Sequence, residues 1–409
     1  MTFFRVILIG CLLLILMDSF SQVDTTRLKV LSNDKQEIDN QKDADIIDFL
    51  RIKRRNEELE KSSKKTMKPR ATFVPFIGYT LQTRLAGILA GNLAFYSDDL
   101  DGRNQSAIST SISYSQNKQI IIPVLSNIWT KRNRYNILGN WRYYKYPEQT
   151  FGLGGHTGLK NKTKLDYQYF LFRESVLRHV SNSAFYLGLG YNLSYHANII
   201  QNPSLSGELT DFDKYGRTKK SCSSGLSIHA LFDNRGNTIN PLKGAYVNLT
   251  FYHYAKFLAS DNNWDALILD MRKYLKLGKA KNVLAIWSYN WFTFGGKRPY
   301  LDLPSTGWDA YSNIGRGYIQ SRLRGENLMY LELEYRFKIS HNGLLGGVLF
   351  TNAQSVSDWP SNKFTTIFPA VGTGIRIKLN KFSGTNLAID YGFGLQGSQG
   401  LFINIAEIF

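Results

Sequence analysis

Apolar and polar side chains alternate with a period of two along most of the chain after residue 70. Residues 185–196 are the clearest case, because an apolar or aromatic residue occupies every second position from Phe185 to Tyr195. The same alternation recurs over 371–379 and 386–393. A period of two places successive side chains on opposite faces of a β-strand. The pattern therefore predicts an all-β protein.

About sixteen segments carry this alternation and follow one another at short intervals. An even number of antiparallel strands brings both ends of a barrel to the same side. The connections 146–163, 197–218, 295–325 and 355–365 would then leave on the other side, and they are long. The connection 233–243 is long for the side of the chain ends. The predicted strands are 71–82, 85–96, 105–116, 119–130, 134–145, 164–178, 183–196, 219–232, 244–256, 263–275, 281–294, 326–339, 343–354, 366–379, 386–394 and 400–408.

The polar face of these segments distinguishes a barrel from a soluble sandwich. It carries Gly, Asn and charged residues through many strands, as a wet lumen requires, whereas a sandwich would have a compact apolar core. The high content of Tyr, Phe and Gly, with aromatics at 14%, fits strands better than helices. We therefore predict a transmembrane antiparallel β-barrel over 71–409, with a short helical segment before it.

The first 70 residues differ in composition from the barrel. Residues 1–21 are typical of a secretory signal peptide, with Arg5 before an apolar run that continues to Met17. Residues 22–70 are polar, and within them 43–61 are predicted to form a helix with a partial apolar stripe. This segment is expected either to dock in the barrel lumen or at its periplasmic mouth, or to act as a solvated spacer.

Charge and candidate chemistry narrow the function. The chain has a formal charge of +18, nearly all of it in the barrel part. A basic lumen would favour anions, and basic outer loops would equally well hold lipid phosphates. No pattern predicts a catalytic nucleophile, a cofactor or a metal site, and the histidines lack metal-ligand spacing. Outside the signal only Cys222 remains, so no internal disulfide is expected. We expect neither an enzyme nor a nucleic-acid-binding protein.

The longest interval without alternation in the second half of the chain is 295–325, which is rich in Gly, Tyr and Arg. A loop of this length inside a folded domain is usually functional or disordered. In the strand that follows, Glu332, Glu334 and Arg336 share one parity, so their side chains are predicted to point into the lumen. A guanidinium in a partly desolvated lumen needs a carboxylate partner, and its planar fork favours bidentate pairing.

Several motifs carry a family resemblance over about residues 71–409. Within the long loop, Gly315-Arg316-Gly317-Tyr318 resembles the (V/I)RG(F/Y) motif of BamA/TamA-type outer-membrane barrels, also called the bacterial surface antigen family. Residues 151–155, FGLGG, look like another loop motif of that family. The chain ends in an alternating segment and Phe409, which resembles the C-terminal strand signal of such barrels. A turn is similar to the family's Asp-x-Arg…Pro-x-x-Gly motif through Asp233, Arg235, Pro241 and Gly244.

The resemblance implies that the loop folds back into the lumen and that an acidic pair on the barrel wall holds Arg316. Glu334 matches the first carboxylate, with Glu332 beside it. The second carboxylate, expected on the next strand, falls at Asn352, which brings no charge. Gly315 replaces the branched apolar residue of the first motif position, and the two motif glycines would allow a close approach to the wall.

The resemblance also implies a location in the bacterial outer membrane, surrounded by lipid and lipopolysaccharide. The expected role is outer-membrane biogenesis or translocation of protein or lipid, through a weak seam between the first and last strands where a client barrel protein adds a strand. Pro75 and the glycines between 392 and 400 are typical of such a seam. Residues 22–70 are too short for the POTRA domain that receives clients in the family. A passive anion-leaning pore and a structural subunit that docks other envelope proteins therefore stay open.

Overall fold

A computed structural model describes residues 44–45, 69–80, 82–97, 106–180, 183–202, 209–278, 281–381 and 384–409. The predicted signal peptide, the predicted helix at 43–61 and nearly all of the segment 22–70 lie outside these ranges. In the part of the chain that is described, no helix is long and apolar enough to cross a membrane.

Within these ranges, sixteen long strands, each antiparallel to its neighbours, form the wall of a nearly closed barrel. The predicted all-β antiparallel barrel of about sixteen strands is therefore confirmed. A further strand of three residues, 148–150, pairs with residues 163–165 at the start of the next long strand. The pairing of that long strand with the preceding long strand, 135–145, begins only at Gln168. The strands are β1 (Arg70–Thr80), β2 (Arg84–Phe95), β3 (Ser106–Ser115), β4 (Ile120–Trp129), β5 (Tyr135–Lys145), the short β6 (Glu148–Thr150), β7 (Thr163–His179), β8 (Phe185–Gln201), β9 (Ser221–Asp233), β10 (Gly244–Tyr254), β11 (Trp264–Leu277), β12 (Asn282–Gly295), β13 (Asn327–Lys338), β14 (Leu345–Val356), β15 (Phe368–Asn380), β16 (Thr385–Gly394) and β17 (Gln399–Ile405).

The two faces of the wall differ as the alternation predicts. On the outer face, Leu189 is 68% exposed and Val371 56%, whereas Glu332 and Glu334 on the inner face are fully buried. An apolar outer belt around a polar interior is the arrangement that a bilayer imposes on a barrel. Because successive side chains in a strand point to opposite faces, the parity of each residue decides whether it contacts lipid or lumen.

The connections differ in length between the two rims. The long ones at 146–162, 202–220, 296–326 and 357–367 leave at one rim, which we call the loop rim. The 202–220 connection contains a short helix, α1 (Asp211–Gly216). The shorter turns and both ends of the barrel chain lie at the opposite rim, which we call the terminal rim; in outer-membrane barrels this rim faces the periplasm.

The described part of the N-terminal segment lies at the terminal rim. Asp45 is 4% exposed, and its carboxylate accepts a hydrogen bond from the backbone N–H of Lys381 at 3.0 Å. The N–H of Ala44 donates to the carbonyl of Asn342 at 2.8 Å. The turns that hold Asn342 and Lys381 follow two long strands of the C-terminal half, β13 and β15. These contacts place residues 44–45 at the terminal rim.

The seam of the barrel lies between β1 and β17. These strands lie side by side, yet among the described residues each has a hydrogen-bonded register with one neighbour alone, β2 and β16 respectively. The last strand was predicted over 400–408, but β17 ends at Ile405. At Ala406 the backbone adopts φ 86° and the chain turns inward. The aromatic C-terminal residue therefore does not complete the strand.

The turned-in tail is bound inside the barrel. Phe409 is 4% exposed, and its ring stacks on Trp287 with centroids 5.1 Å apart. Its carbonyl accepts a hydrogen bond from Arg336 at 2.9 Å. Burial of the aromatic ring and a partner for the buried guanidinium stabilise this turned-in position.

Candidate functional site in the barrel lumen

The loop between β12 and β13, residues 296–326, folds back into the lumen. Its two arms meet at an isolated bridge between Ser305 and Arg324. Ile314 and Leu323 belong to one buried cluster of aromatic and aliphatic side chains in the interior, and neither is more than 2% exposed. The polar inner face predicted for a wet lumen is thus covered, on this side, by a packed loop.

Three carboxylates on the barrel wall surround Arg316 near the tip of this loop. One guanidinium nitrogen donates to Asp390 at 2.6 Å, and the other donates to Glu334 at 2.5 Å and to Glu332. The guanidinium also lies over the ring of Phe350, 3.7 Å from its centroid. Burial alone would lower the pKa of Arg316, but these carboxylates raise it well above its ordinary value. The loop arginine is therefore held as a cation.

Asn352 has a different role from the one that the sequence suggested. It does not replace a carboxylate of the Arg316 site; its amide donates to the backbone carbonyl of Arg316 at 3.0 Å. The additional negative charge comes from Asp390 on β16, two strands beyond β14, which carries Asn352. Asp390 was not predicted, because the second carboxylate was expected on the strand next to Glu334. The inward parity of Asp390 within the alternating segment 386–393 was the available signal.

The carboxylates belong to a larger ionic cluster on the wall. Arg336 donates to Glu334 at 2.6 Å, and Arg376 contacts Asp390 at 2.5 Å and Glu407 of the turned-in tail at 2.8 Å. Counting Glu332 and Arg316, the cluster holds three arginines and four carboxylates. Because nearly every charge faces an opposite one, the buried ions compensate each other. The cluster links the loop, the strands β13, β15 and β16, and the tail.

Glycines allow the loop tip to approach the wall closely. Gly315 and Gly317 have φ of 84° and 100°, values that favour glycine. A Cβ on Gly317 would lie 2.9 Å from Ala370, and one on Gly394 would lie 2.5 Å from the ring of Tyr318. Gly394 belongs to β16, so it receives the loop; the sequence had assigned it, together with Gly392, to a weak seam near the last strand. That assignment is corrected for both residues.

A second ionic anchor holds the arm of the loop nearer to β13. Arg324 donates to Glu148 at 2.9 Å, and both side chains are at most 1% exposed. The same carboxylate accepts hydrogen bonds from Ser321, from Tyr167 at 2.5 Å and from the Trp308 indole at 3.2 Å. Glu148 is the first residue of β6. This contact could not be predicted from the sequence, because nothing local relates residues so far apart in the chain.

The FGLGG segment lies over the loop as part of a cover at the loop rim. Its backbone N–H groups donate to Asp211 at 2.8 Å, to the carbonyl of Arg324 at 2.8 Å and to Asp358 at 2.7 Å. Gly152 and Gly154 both have positive φ. The segment thus joins three connections, 146–162, 202–220 and 357–367, above the lumen loop.

The turn motif between β9 and β10 forms at the terminal rim. Arg235 makes a fork with Asp233, with nitrogen–oxygen distances of 2.9 and 2.8 Å, and lies over Tyr246 at 4.5 Å from the ring centroid. Gly244 has φ 110° and packs against the backbone of this turn, and Pro241 is buried. The long turn is therefore a fixed structure, although it lies on the side of the short connections.

Within the described ranges, no group of three or more His, Cys, Asp or Glu side chains could hold a metal ion. The buried His229 instead contacts the hydroxyls of Ser175, Ser227 and Thr250 at 2.8–3.1 Å. The site as a whole is an ionic and steric lock between a loop and a barrel wall.

An apolar outer belt, a wall of sixteen antiparallel strands and a loop locked into the lumen by a buried arginine define a transmembrane barrel of the outer-membrane type. The model of the Omp85 superfamily domain matches residues 99–401. The chain belongs to the Omp85 superfamily, and members of this class are bacterial outer-membrane proteins. The family resemblance predicted from the sequence is confirmed.

Solved structures agree on the fold. BamA from Haemophilus ducreyi lacking POTRA domains 1–3 superposes with a TM-score of 0.54 at 15% identity, covering 83% of this chain and 70% of that one. CdiB from Acinetobacter baumannii superposes with a TM-score of 0.54 at 11% identity, covering 83% of this chain and 60% of that one. CdiB from Escherichia coli superposes with a TM-score of 0.55 at 11% identity, covering 84% of this chain and 63% of that one. This chain thus spans less than two thirds of either CdiB structure. No curated protein matches it in sequence.

Proposed function

We propose that this protein inserts or translocates other proteins or lipids at the outer membrane by opening its wall between β1 and β17. The observation that carries the proposal is the seam itself: each of the two strands is hydrogen-bonded along one side to its sequence neighbour, and the described residues include no register between them. Unpaired N–H and C=O groups at a strand edge are a template for an added strand.

The unequal lengths of the seam strands support the same proposal. β1 extends over Arg70–Thr80, whereas β17 ends at Ile405 after seven residues. The shorter strand cannot satisfy the whole edge of β1, so part of that edge is available to a client. Pro75 lies within β1 and has no N–H to contribute to pairing.

The locked loop favours this role over an open pore. Loop 296–326 fills the lumen and is held at Arg316 and at Arg324. A passive pore would need an open path through this packed interior. A lateral opening does not, because a client would pair at the wall while the loop stays in place.

The test is a disulfide lock across the seam in proteoliposomes. Ile77→Cys and Ile403→Cys, on the facing strands of a Cys222→Ser background, would be joined by oxidation or a short bifunctional maleimide. We expect the locked barrel to lose its ability to fold an unfolded outer-membrane barrel client, measured as the fraction of client that becomes heat-modifiable in gel electrophoresis, and to regain it when an oxidised lock is reduced.

A matched control lock joins a seam that should never open. Leu189 and Ile228 lie directly opposite each other on β8 and β9 and both face lipid. Leu189→Cys with Ile228→Cys should leave client folding unchanged. Equal activity of the two locked proteins, or no activity in the unlocked one, would contradict the proposal.

A further inference from the structure

A carboxylate lies on the lipid-facing surface of β7. Along this strand the outward residues are Phe170, Phe172, Glu174, Val176 and Arg178; Phe170 is 42% and Val176 46% exposed. Glu174 is therefore flanked on its own strand by apolar side chains that contact lipid. Arg178 is four residues away, about 13 Å along an extended strand, which is too far for a direct ion pair.

The neighbouring strands add hydrogen-bonding groups around Glu174. The indole N–H of Trp141, an outward residue of β5, donates to its carboxylate at 3.0 Å. Gly139 lies directly opposite Glu174, and a Cβ there would approach the carboxylate at 2.8 Å and the hydroxyl of Ser126 at 2.3 Å. Because Gly139 has no side chain, the side chains of Ser126, Trp141 and Glu174 can lie close together on the outer surface. We call these three residues the polar patch.

An ionisable side chain inside the hydrocarbon belt is costly unless a partner satisfies it. A carboxylate has about four lone-pair sites, and the indole of Trp141 supplies one donor. Lipid headgroup donors lie at the membrane surface, not within the apolar band. A group that completes the shell of Glu174 must therefore be carried into the band by a membrane-embedded chain.

A second copy of this barrel fits the patch poorly. On the described outer face, Lys273 of β11 also lies between apolar neighbours, but it already has an interaction within this chain. The other charged side chains besides Glu174 lie toward the rims, as Arg178 does, or form their own pair, as His253 and Asp265 do at 2.7 Å. The described belt thus provides no uncommitted basic residue at matching depth. Charge complementarity instead favours a different protein.

We propose that the Ser126–Trp141–Glu174 patch docks a membrane-embedded segment of another protein, which brings a Lys or Arg side chain against Glu174. This surface lies on β4, β5 and β7, away from the β1–β17 seam, and the proposal does not depend on the function proposed for that seam. The patch and the seam could then be engaged by different proteins at the same time.

The experiment is photo-crosslinking in intact membranes. A benzophenone amino acid would replace Val176, the lipid-facing neighbour of Glu174 on β7, and in a matched control would replace Val371, which is 56% exposed on β15. Heat-shifted migration in gel electrophoresis would verify that each barrel is folded. We expect a discrete adduct with another membrane protein from position 176 and none from position 371.

Dependence on the carboxylate separates docking from chance proximity. Glu174→Leu should weaken the adduct at least fivefold, while Glu174→Asp should retain most of it. Three results would overturn the proposal: no protein adduct at position 176 in a folded barrel, an adduct of equal strength in Glu174→Leu, or an adduct whose mass is that of two copies of this chain.

Discussion

Replacing Arg316 by alanine tests the lock between loop and wall. Arg316 is 1% exposed and its carboxylate partners are fully buried. Its removal leaves a cluster of two arginines and four carboxylates. Breaking a buried ion pair from one side costs about 3–5 kcal/mol, which corresponds to a factor of roughly 10² to 10⁴ in an equilibrium constant.

The free energy lost on removing Arg316 can appear in two ways, and the assay distinguishes them. If the loop stays in the lumen, the unpaired carboxylates destabilise the whole barrel, and its denaturation midpoint falls. If the loop leaves the lumen, water reaches the carboxylates and the cost appears as undocking of residues 296–326. Arg322 and Arg324 are each 1% exposed in the docked loop. Undocking would therefore create new trypsin cleavage sites after them.

We expect trypsin to cleave Arg316→Ala within the loop at least tenfold faster than it cleaves the wild type, with a lower urea midpoint in detergent micelles. Arg316→Lys should be intermediate, because an ammonium keeps the charge but cannot reproduce the fork over three carboxylates. The matched control is Arg217→Ala, since Arg217 is 57% exposed in its pair with Asp213. That change should cost less than about 1 kcal/mol.

The reasoning is refuted if Arg316→Ala resists trypsin within the loop as the wild type does and shifts the urea midpoint no more than Arg217→Ala. The buried cluster would then tolerate an uncompensated charge at no measurable cost.

Two further changes test the contacts of the loop and of the tail. Gly394→Ala would place its Cβ 2.5 Å from the Tyr318 ring. We therefore expect overpacking to lower the free energy of unfolding by about 1–3 kcal/mol and trypsin to cleave the loop faster. The control is Gly87→Ala, whose Cβ meets open space, and equal effects of the two changes would contradict the steric argument. Phe409→Ala removes the stack on Trp287 and should lower the free energy of unfolding by about 3–5 kcal/mol in urea denaturation, whereas a change below about 1 kcal/mol would mean that the tail contributes no packing.

The local alternation of side chains was sufficient to predict the wall of the barrel. Parity within 328–338 places Glu332, Glu334 and Arg336 in the lumen, because adjacent side chains of a strand point to opposite faces wherever the strand lies. Sixteen segments and their alternating long and short connections could be counted from the same periodicity. The motif around Arg316 added the identity of the loop, since its glycines and its arginine are adjacent in the sequence.

The tertiary structure alone decided which distant groups meet. Asp390 reaches Arg316 because β16 lies two strands beyond β14 on a curved wall, and Glu148 reaches Arg324 because β6 extends past the wall toward the folded loop. The inward turn after Ile405 follows from burial of Phe409, which alternation at the chain end does not reveal. Periodicity reports only which face a side chain occupies. Contacts across the lumen depend on how the sheet closes, and closure is a property of all the strands together.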